Sequence, residues 1–247
     1  MDQVGARRVL AVATFLFGAS GCAQPLMKPP KDLEGKVDIY PAHGRHGVLA
    51  LEPQISFGPY RTVSIHRGIV TGEGESVRTG VFTSEDHDVQ RQHFDFVLQG
   101  PFSGSWQGSC VATSDRRTED QVVGAHAGTQ GSGLVTREQT LSDQRGYSCD
   151  LHGPDTERWR LEVDENLAEG SVRDAVGNAI ADIQGMAEQW TWQRPALDGN
   201  AIVGPKGATL AALQRSFDGA VYLWRDLDPK QKAGVAAICA ALLLPGR

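Results

Sequence analysis

The sequence predicts a mainly β protein, an antiparallel barrel or strongly curved sheet with a hydrophobic C-terminal helix packed in or on it. Three observations carry that prediction. Apolar residues recur with a period near two in short segments from about position 49 to 224, the pattern of strands with one buried face. Turn formers are dense, 29 Gly and 12 Pro in 247 residues, so the chain is cut into many short pieces. Near the end the pattern changes, because residues 233–244 read AGVAAICAALLL without one polar side chain. No face of a helix built from that run could be left in water, which predicts a buried helix over 229–244.

The elements follow in chain order. Residues 22–48 are rich in Pro, Gly and charge and predict a flexible tether, with a single β-rich domain over 49–247. Ile55, Phe57, Val63, Ile65 and Ile69 outline the first strands, with Gly58-Pro59 as a hairpin turn. In HFDFVLQG, Phe94, Phe96 and Leu98 point one way and Asp95, Val97 and Gln99 the other, and SWQGSCVATS pairs with it across the turn at 100–104. Residues 115–143 are polar and Gly-rich and predict a long loop with at most one irregular strand. GYSCDLHG and RWRLEVDE form a hairpin around 152–155. Val172, Val176, Ile180 and Ile183 flank a turn at Gly177-Asn178, and Trp190 and Trp192 share a strand face toward the helix. Residues 209–213 fit a turn of helix, and 221–224, VYLW, a strand. Asp228 is the expected N-cap of the last helix, Pro229 its first residue, and Pro245-Gly246 its stop.

The first residues give an address. Arg7 and Arg8 precede the apolar run VLAVATFLFGA, and Ser20-Gly21 sit directly before Cys22, the layout of a bacterial secretory leader. The run is shorter than the ~18 to 20 apolar residues a spanning helix needs. Ala19-Ser20-Gly21-Cys22 resembles a lipobox, the cleavage and lipidation signal of bacterial lipoproteins, with Ala19 where that motif usually has Leu. The resemblance implies a signal peptide over 1–21, a diacylglycerol on the Cys22 thiol, and Cys22 as first residue of the mature chain. It implies a lipid-anchored protein of the bacterial cell envelope whose membrane partner is reached through that anchor. Ala23 in place of Asp resembles lipoproteins sorted to the outer membrane. The plainer alternative is an ordinary cleaved leader in which Cys22 is incidental.

In an oxidising envelope two of the remaining cysteines can pair, and Cys110 with Cys149, each in a strand-like setting, is the expected disulfide. Cys239 lies in the apolar helix and reads as a buried free thiol. The body, through GVAAICAALLL, the strand VYLW before it and the upstream two-strand units, resembles the tubby-like or LURP-one-related fold. That resemblance implies a closed barrel around a hydrophobic C-terminal helix and carries no site residue. Some members of that family engage phospholipids, but this chain has no cluster of Lys and Arg to hold an anionic headgroup.

Chemistry is sparse. A formal net charge of -6 without a basic patch argues against a nucleic-acid partner. There is no G-x-S-x-G, and GSWQG has its serine one place early. Cys110 with His126 could imitate a thiol and base, but a disulfide-bonded sulfur cannot attack. His43 with His46, and Asp86, His87 and Asp88 with His93, are the only hints of metal ligands, and a solvated turn explains them better. Glu85 with Asp86, and Asp164 with Glu165, are adjacent and so point to opposite faces of a strand. GPKGAT lacks the spacing of a phosphate loop. Trp106, Trp159, Trp190, Trp192 and Trp224 could line a cleft but suit core packing. No cofactor or metal is expected. The reading is a non-enzymatic binding or structural module at the membrane surface, its protein or lipid partner open. The alternatives are an envelope hydrolase whose site is assembled from distant residues, and a lipid carrier with a hollow barrel.

Overall fold

The computed structural model describes residues 26–44, 54–80, 83–101, 104–128, 131–164, 167–188, 197–216 and 219–245. The leader, Cys22, His46, Glu165, Trp190 and Trp192 lie outside the described residues, as does the His126 side chain. The elements are β1 (Val37–His43), β2 (Ser56–Phe57), β3 (Tyr60–Arg67), β4 (Thr71–Arg78), β5 (Thr83–Gln99), β6 (Trp106–Gly128) and β7 (Gly131–His152). They continue as β8 (Arg158–Val163), β9 (Glu169–Asp174), β10 (Ala179–Glu188), β11 (Leu197–Val203), β12 (Thr209–Gln214), β13 (Ala220–Trp224) and α1 (Pro229–Leu243).

Consecutive strands pair antiparallel except β3 and β4, which both pair with β5, and β1 pairs with β13; the β3–β5 pairing closes a twelve-stranded barrel that leaves β4 outside it. The expected β architecture with a closing helix is therefore present. An eight-stranded barrel is filled by its own side chains, whereas twelve strands leave a lumen wide enough for an element about 10 Å across. α1 occupies it. Residues 233–243 of the helix are all buried, and they pack against inward residues such as Phe96, Leu151, Leu161, Ile202 and Leu223. The apolar circumference follows from that position: a helix surrounded by strands has no solvent face. Its small residues let the wall approach, and at Gly234 an added methyl would overlap the Trp159 ring. At the entry, Asp228 Oδ1 accepts from the Lys230 and Gln231 amides at 3.0 Å each, and Pro229 opens the first turn. Among the described residues no helix is long and apolar enough to cross a membrane.

Four expectations need correction. The body starts before position 49: β1 pairs along β13, and residues 26–36 lie over the outer wall, so only residues upstream of 26 are left for a tether. Met27 and Leu33 are 3% and 1% exposed, and Tyr222 donates from its hydroxyl to the Met27 carbonyl at 2.7 Å. Two isolated apolar residues among prolines and charges give no periodic signal, yet both are buried, and Leu33 covers Tyr222, Ala212 and Ala220. Residues 209–213 are strand rather than helix, because β12 is hydrogen-bonded on both sides and buried on both faces, which overrides the helix preference of its alanines. Val176 sits in the tight turn between β9 and β10 and is 81% exposed.

The largest correction concerns 115–143. Instead of a loop, β6 and β7 run on unbroken for 23 and 22 residues. Only 106–112 and 147–152 belong to the barrel wall; 113–128 and 131–146 project from the helix C-terminal end as an arm about 50 Å long at ~3.3 Å per residue. β4 and the first half of β5 flank its base, since β5 pairs with β4 over 84–91 and with β3 only over 94–99.

Candidate functional site

At the root of the arm a cavity of about 420 Å³ opens between the arm and the barrel mouth. Gln90 and Gln92 of β5, Ala112 and Ser114 of β6, and Arg145 and Tyr147 of β7 line it, with Leu167 and Pro245 on the barrel side. Register brings these together: Gln92 lies opposite Ala112 and Gln90 opposite Ser114, while Ala112 lies opposite Tyr147 and Ser114 opposite Arg145. They are the polar continuation of the inward face whose next residues down, Phe94, Cys110 and Cys149, are core.

The cavity floor is fixed by the end of α1. The buried Tyr147 hydroxyl donates to the Ala241 carbonyl at 2.8 Å, satisfying one of the carbonyls that a helix C-terminus leaves open. Burial pushes its phenol far above the ordinary range, so it remains a donor. Arg67 Nη2 donates to the Leu244 carbonyl at 3.4 Å, while its guanidinium lies 5.8 Å from the Phe94 ring centroid. Asp164 faces the cavity but is engaged in its own loop, accepting from the Ala168 and Glu169 amides at 2.6 and 3.1 Å. Amides, a hydroxyl and a guanidinium can hydrogen-bond a polar ligand; no nucleophile stands beside a base.

The sequence-derived candidates disperse. Cys110 and Cys149 meet as directly opposed residues of β6 and β7, joined by a disulfide with Cα atoms 4.0 Å apart and both sulfurs buried. Cys239 is a buried free thiol, and burial pushes its pKa well up, so it stays neutral. Asp86 and Asp88 share one face of β5 while His87 and His93 take the other. His87 Nε2 meets Asp115 Oδ1 at 2.8 Å instead. His43 ends β1, opposite Ser56. Among the described residues no group of three or more His, Cys, Asp or Glu is placed to hold a metal ion.

On the outer wall His66 lies opposite Asp95, and Asp95 opposite Ser109, beside a shallow hollow of about 270 Å³. That order puts the carboxylate between imidazole and hydroxyl, whereas nucleophilic catalysis needs the imidazole between the other two. Trp106 and Trp159 close the opposite barrel end, ring centroids 4.8 Å apart over α1. Lys230 and Glu157 add an ion pair there at 2.9 Å. Asp38 receives Arg225 Nε and Lys232 Nζ at 3.1 Å each, and the Arg225 hydrogen bond, before that of Lys232, holds its carboxyl below the usual range.

Sequence reasoning missed the cavity because it missed the arm. The available signal was the absence of Pro between Pro101 and Pro154, which leaves long strands uninterrupted. The architecture is a helix-filled antiparallel barrel bearing a strand arm. No family model matches the chain, and neither curated proteins nor solved structures contain a match to it.

Proposed function

We propose that the protein is a lipid-anchored envelope module that binds or positions a partner at the membrane surface rather than transforming a substrate. The observation that carries this is the filled lumen: α1 occupies the barrel interior, so a ligand must be met on the outside, and the polar cavity at the arm root is the concave place suited to it. The Cys22 lipobox resemblance supplies the anchor, and a double- or triple-acylated cysteine holds a protein far better than one chain. The tubby-like resemblance of the body is a likeness of architecture only and adds no ligand to this reading. A lipid carrier would need the space that the helix takes.

The anchor is tested by fatty-acid labelling and fractionation of envelopes. Wild-type protein should carry label and stay with membranes, and Cys22→Ala should lose both. Unchanged labelling and retention in the variant would remove the anchor.

A further inference from the structure

β3 and β4 run end to end along one side of β5. β3 pairs with β5 through Arg67 opposite Phe94, the Gly68 amide donates to the His93 carbonyl at 2.9 Å, and β4 resumes at Thr71 opposite Arg91. Ile69 and Val70 therefore stand where β5 has only Gln92, a bulge that carries β4 out of the barrel wall and onto the arm. Among the described residues β4 pairs with β5 alone, so its other side is an open edge over Thr71–Arg78, and every one of its residues is exposed. An open edge presents a row of unpaired amides and carbonyls, and proteins blunt such rows with Lys, Pro or a short length. β4, TGEGESVR, has eight residues and neither Lys nor Pro.

The two faces of β4 differ. Thr71, Glu73, Glu75 and Val77 share one, and Gly72, Gly74 and Ser76 the other. Nothing local requires the glycines. Neither has a positive φ, and an added Cβ would come no nearer than 3.6 Å to its neighbours at Gly72 and 4.0 Å at Gly74. Glycine weakens a strand and marks places where another backbone or a ligand approaches closely. A large side chain on an adjoining strand can cover an edge glycine, as aromatic residues do. On the other face Glu73 and Glu75 lie opposite Val89 and His87, and the His87 imidazole is already held by Asp115 at 2.8 Å. Glu85 follows, opposite Val77, while Arg91 stands at the root, opposite Thr71. The middle of the edge is thus acidic.

We propose that the β4 edge binds an extended segment of a partner protein as an added antiparallel strand, one that carries Lys or Arg at two alternate positions and a large apolar side chain between them. The cations meet Glu73 and Glu75, and the side chain between them lies over Gly74. Main-chain hydrogen bonds supply the affinity, and the alternating side chains the choice of partner. A second copy of β4 does not fit this description. Paired antiparallel with itself about Gly74 it would set Glu73 against Glu75 twice, and like charges directly opposed destabilise a sheet. No residue of β4 lines the arm-root cavity, and binding here needs neither that cavity nor the Cys22 anchor.

The test uses the full chain and a synthetic peptide as long as β4, with Lys at two alternate positions and Phe between them. Bound peptide should slow amide exchange severalfold at alternate residues of β4 and leave Gln144, on the β7 side of the arm, unchanged. Glu73→Lys with Glu75→Lys should weaken binding roughly tenfold, since two favourable cross-strand pairs become repulsive, with no change in melting temperature. A peptide N-methylated at the alternate amides that face β4 should lose binding altogether. Equal affinity for the N-methylated peptide, or for one with Glu in place of Lys, would overturn the proposal, and so would no binding at millimolar peptide. Slow exchange in β4 that grows with protein concentration before any peptide is added would mean that a second copy holds the edge, and would overturn it as well.

Discussion

β6 and β7 each pass through two regions that share one hydrogen-bond ladder and differ in almost everything else. In the wall, 106–112 and 147–152 alternate strictly: Trp106, Cys110, Tyr147, Cys149 and Leu151 are buried at 0 to 4% exposure. In the arm, the same strands carry Thr, Ser, Asp, Arg and Glu on both faces, and β4 beside them is exposed at every residue. Backbone pairing is thus common to both, and alternation belongs only to the part with a helix behind it. A strand is recognisable in sequence through what it buries, not through its ladder.

That contrast predicts a graded set of responses. The largest belongs to the core of the wall region. Ala237 is fully buried, and Ala237→Asp places an unpaired charge there at a penalty of several kcal/mol against a total stability of ~5 to 15. The variant should show no cooperative melt by circular dichroism; a soluble, cooperatively melting Ala237→Asp would mean that the barrel does not depend on α1. Next comes the border between the regions. Removing the disulfide with Cys110→Ala and Cys149→Ala should cost about 3 to 4 kcal/mol, from a closed loop of roughly 40 residues, measured as a shift in urea midpoint. No shift would show that the wall pins the arm root unaided.

Smaller still is Tyr147→Phe, which leaves the buried Ala241 carbonyl without its hydroxyl donor. It should lower stability by about 1 to 2 kcal/mol while far-ultraviolet spectra are unchanged. The smallest effect is expected in the arm. Replacing residues 122–135 by an Asn-Gly turn should change stability by under about 0.5 kcal/mol, because beyond Gln121 β6 is paired with β7 alone and no longer with β5. A drop of several degrees in melting temperature would show that the arm supports the barrel after all.

The same contrast explains how much was legible. α1, its Asp228 cap, the hairpin turns at Gly58-Pro59 and Gly177-Asn178, and the Cys110–Cys149 pairing are local facts, fixed by neighbours in sequence or by a single pairing. The sequence of β1 reads as tether because Val37, Ile39 and Pro41 take different environments: Val37 lies under the N-terminal segment, while Ile39 is 46% exposed. The sequence of the arm reads as loop because polar residues on both faces erase the period of two. The cavity was illegible for a further reason. Its walls come from three strands whose mutual register is set by the barrel, and its rim from Leu167 and Pro245, far along the chain.

The placement of the disulfide has one more consequence. Cys110 and Cys149 close a covalent ring around the whole projecting hairpin. A protease that cuts the arm anywhere between the two cysteines would leave two fragments still bonded to each other, each keeping its share of the wall. Such a molecule would run as one band without reductant and as two with it. A cut in the arm therefore leaves the barrel wall covalently joined across β6 and β7.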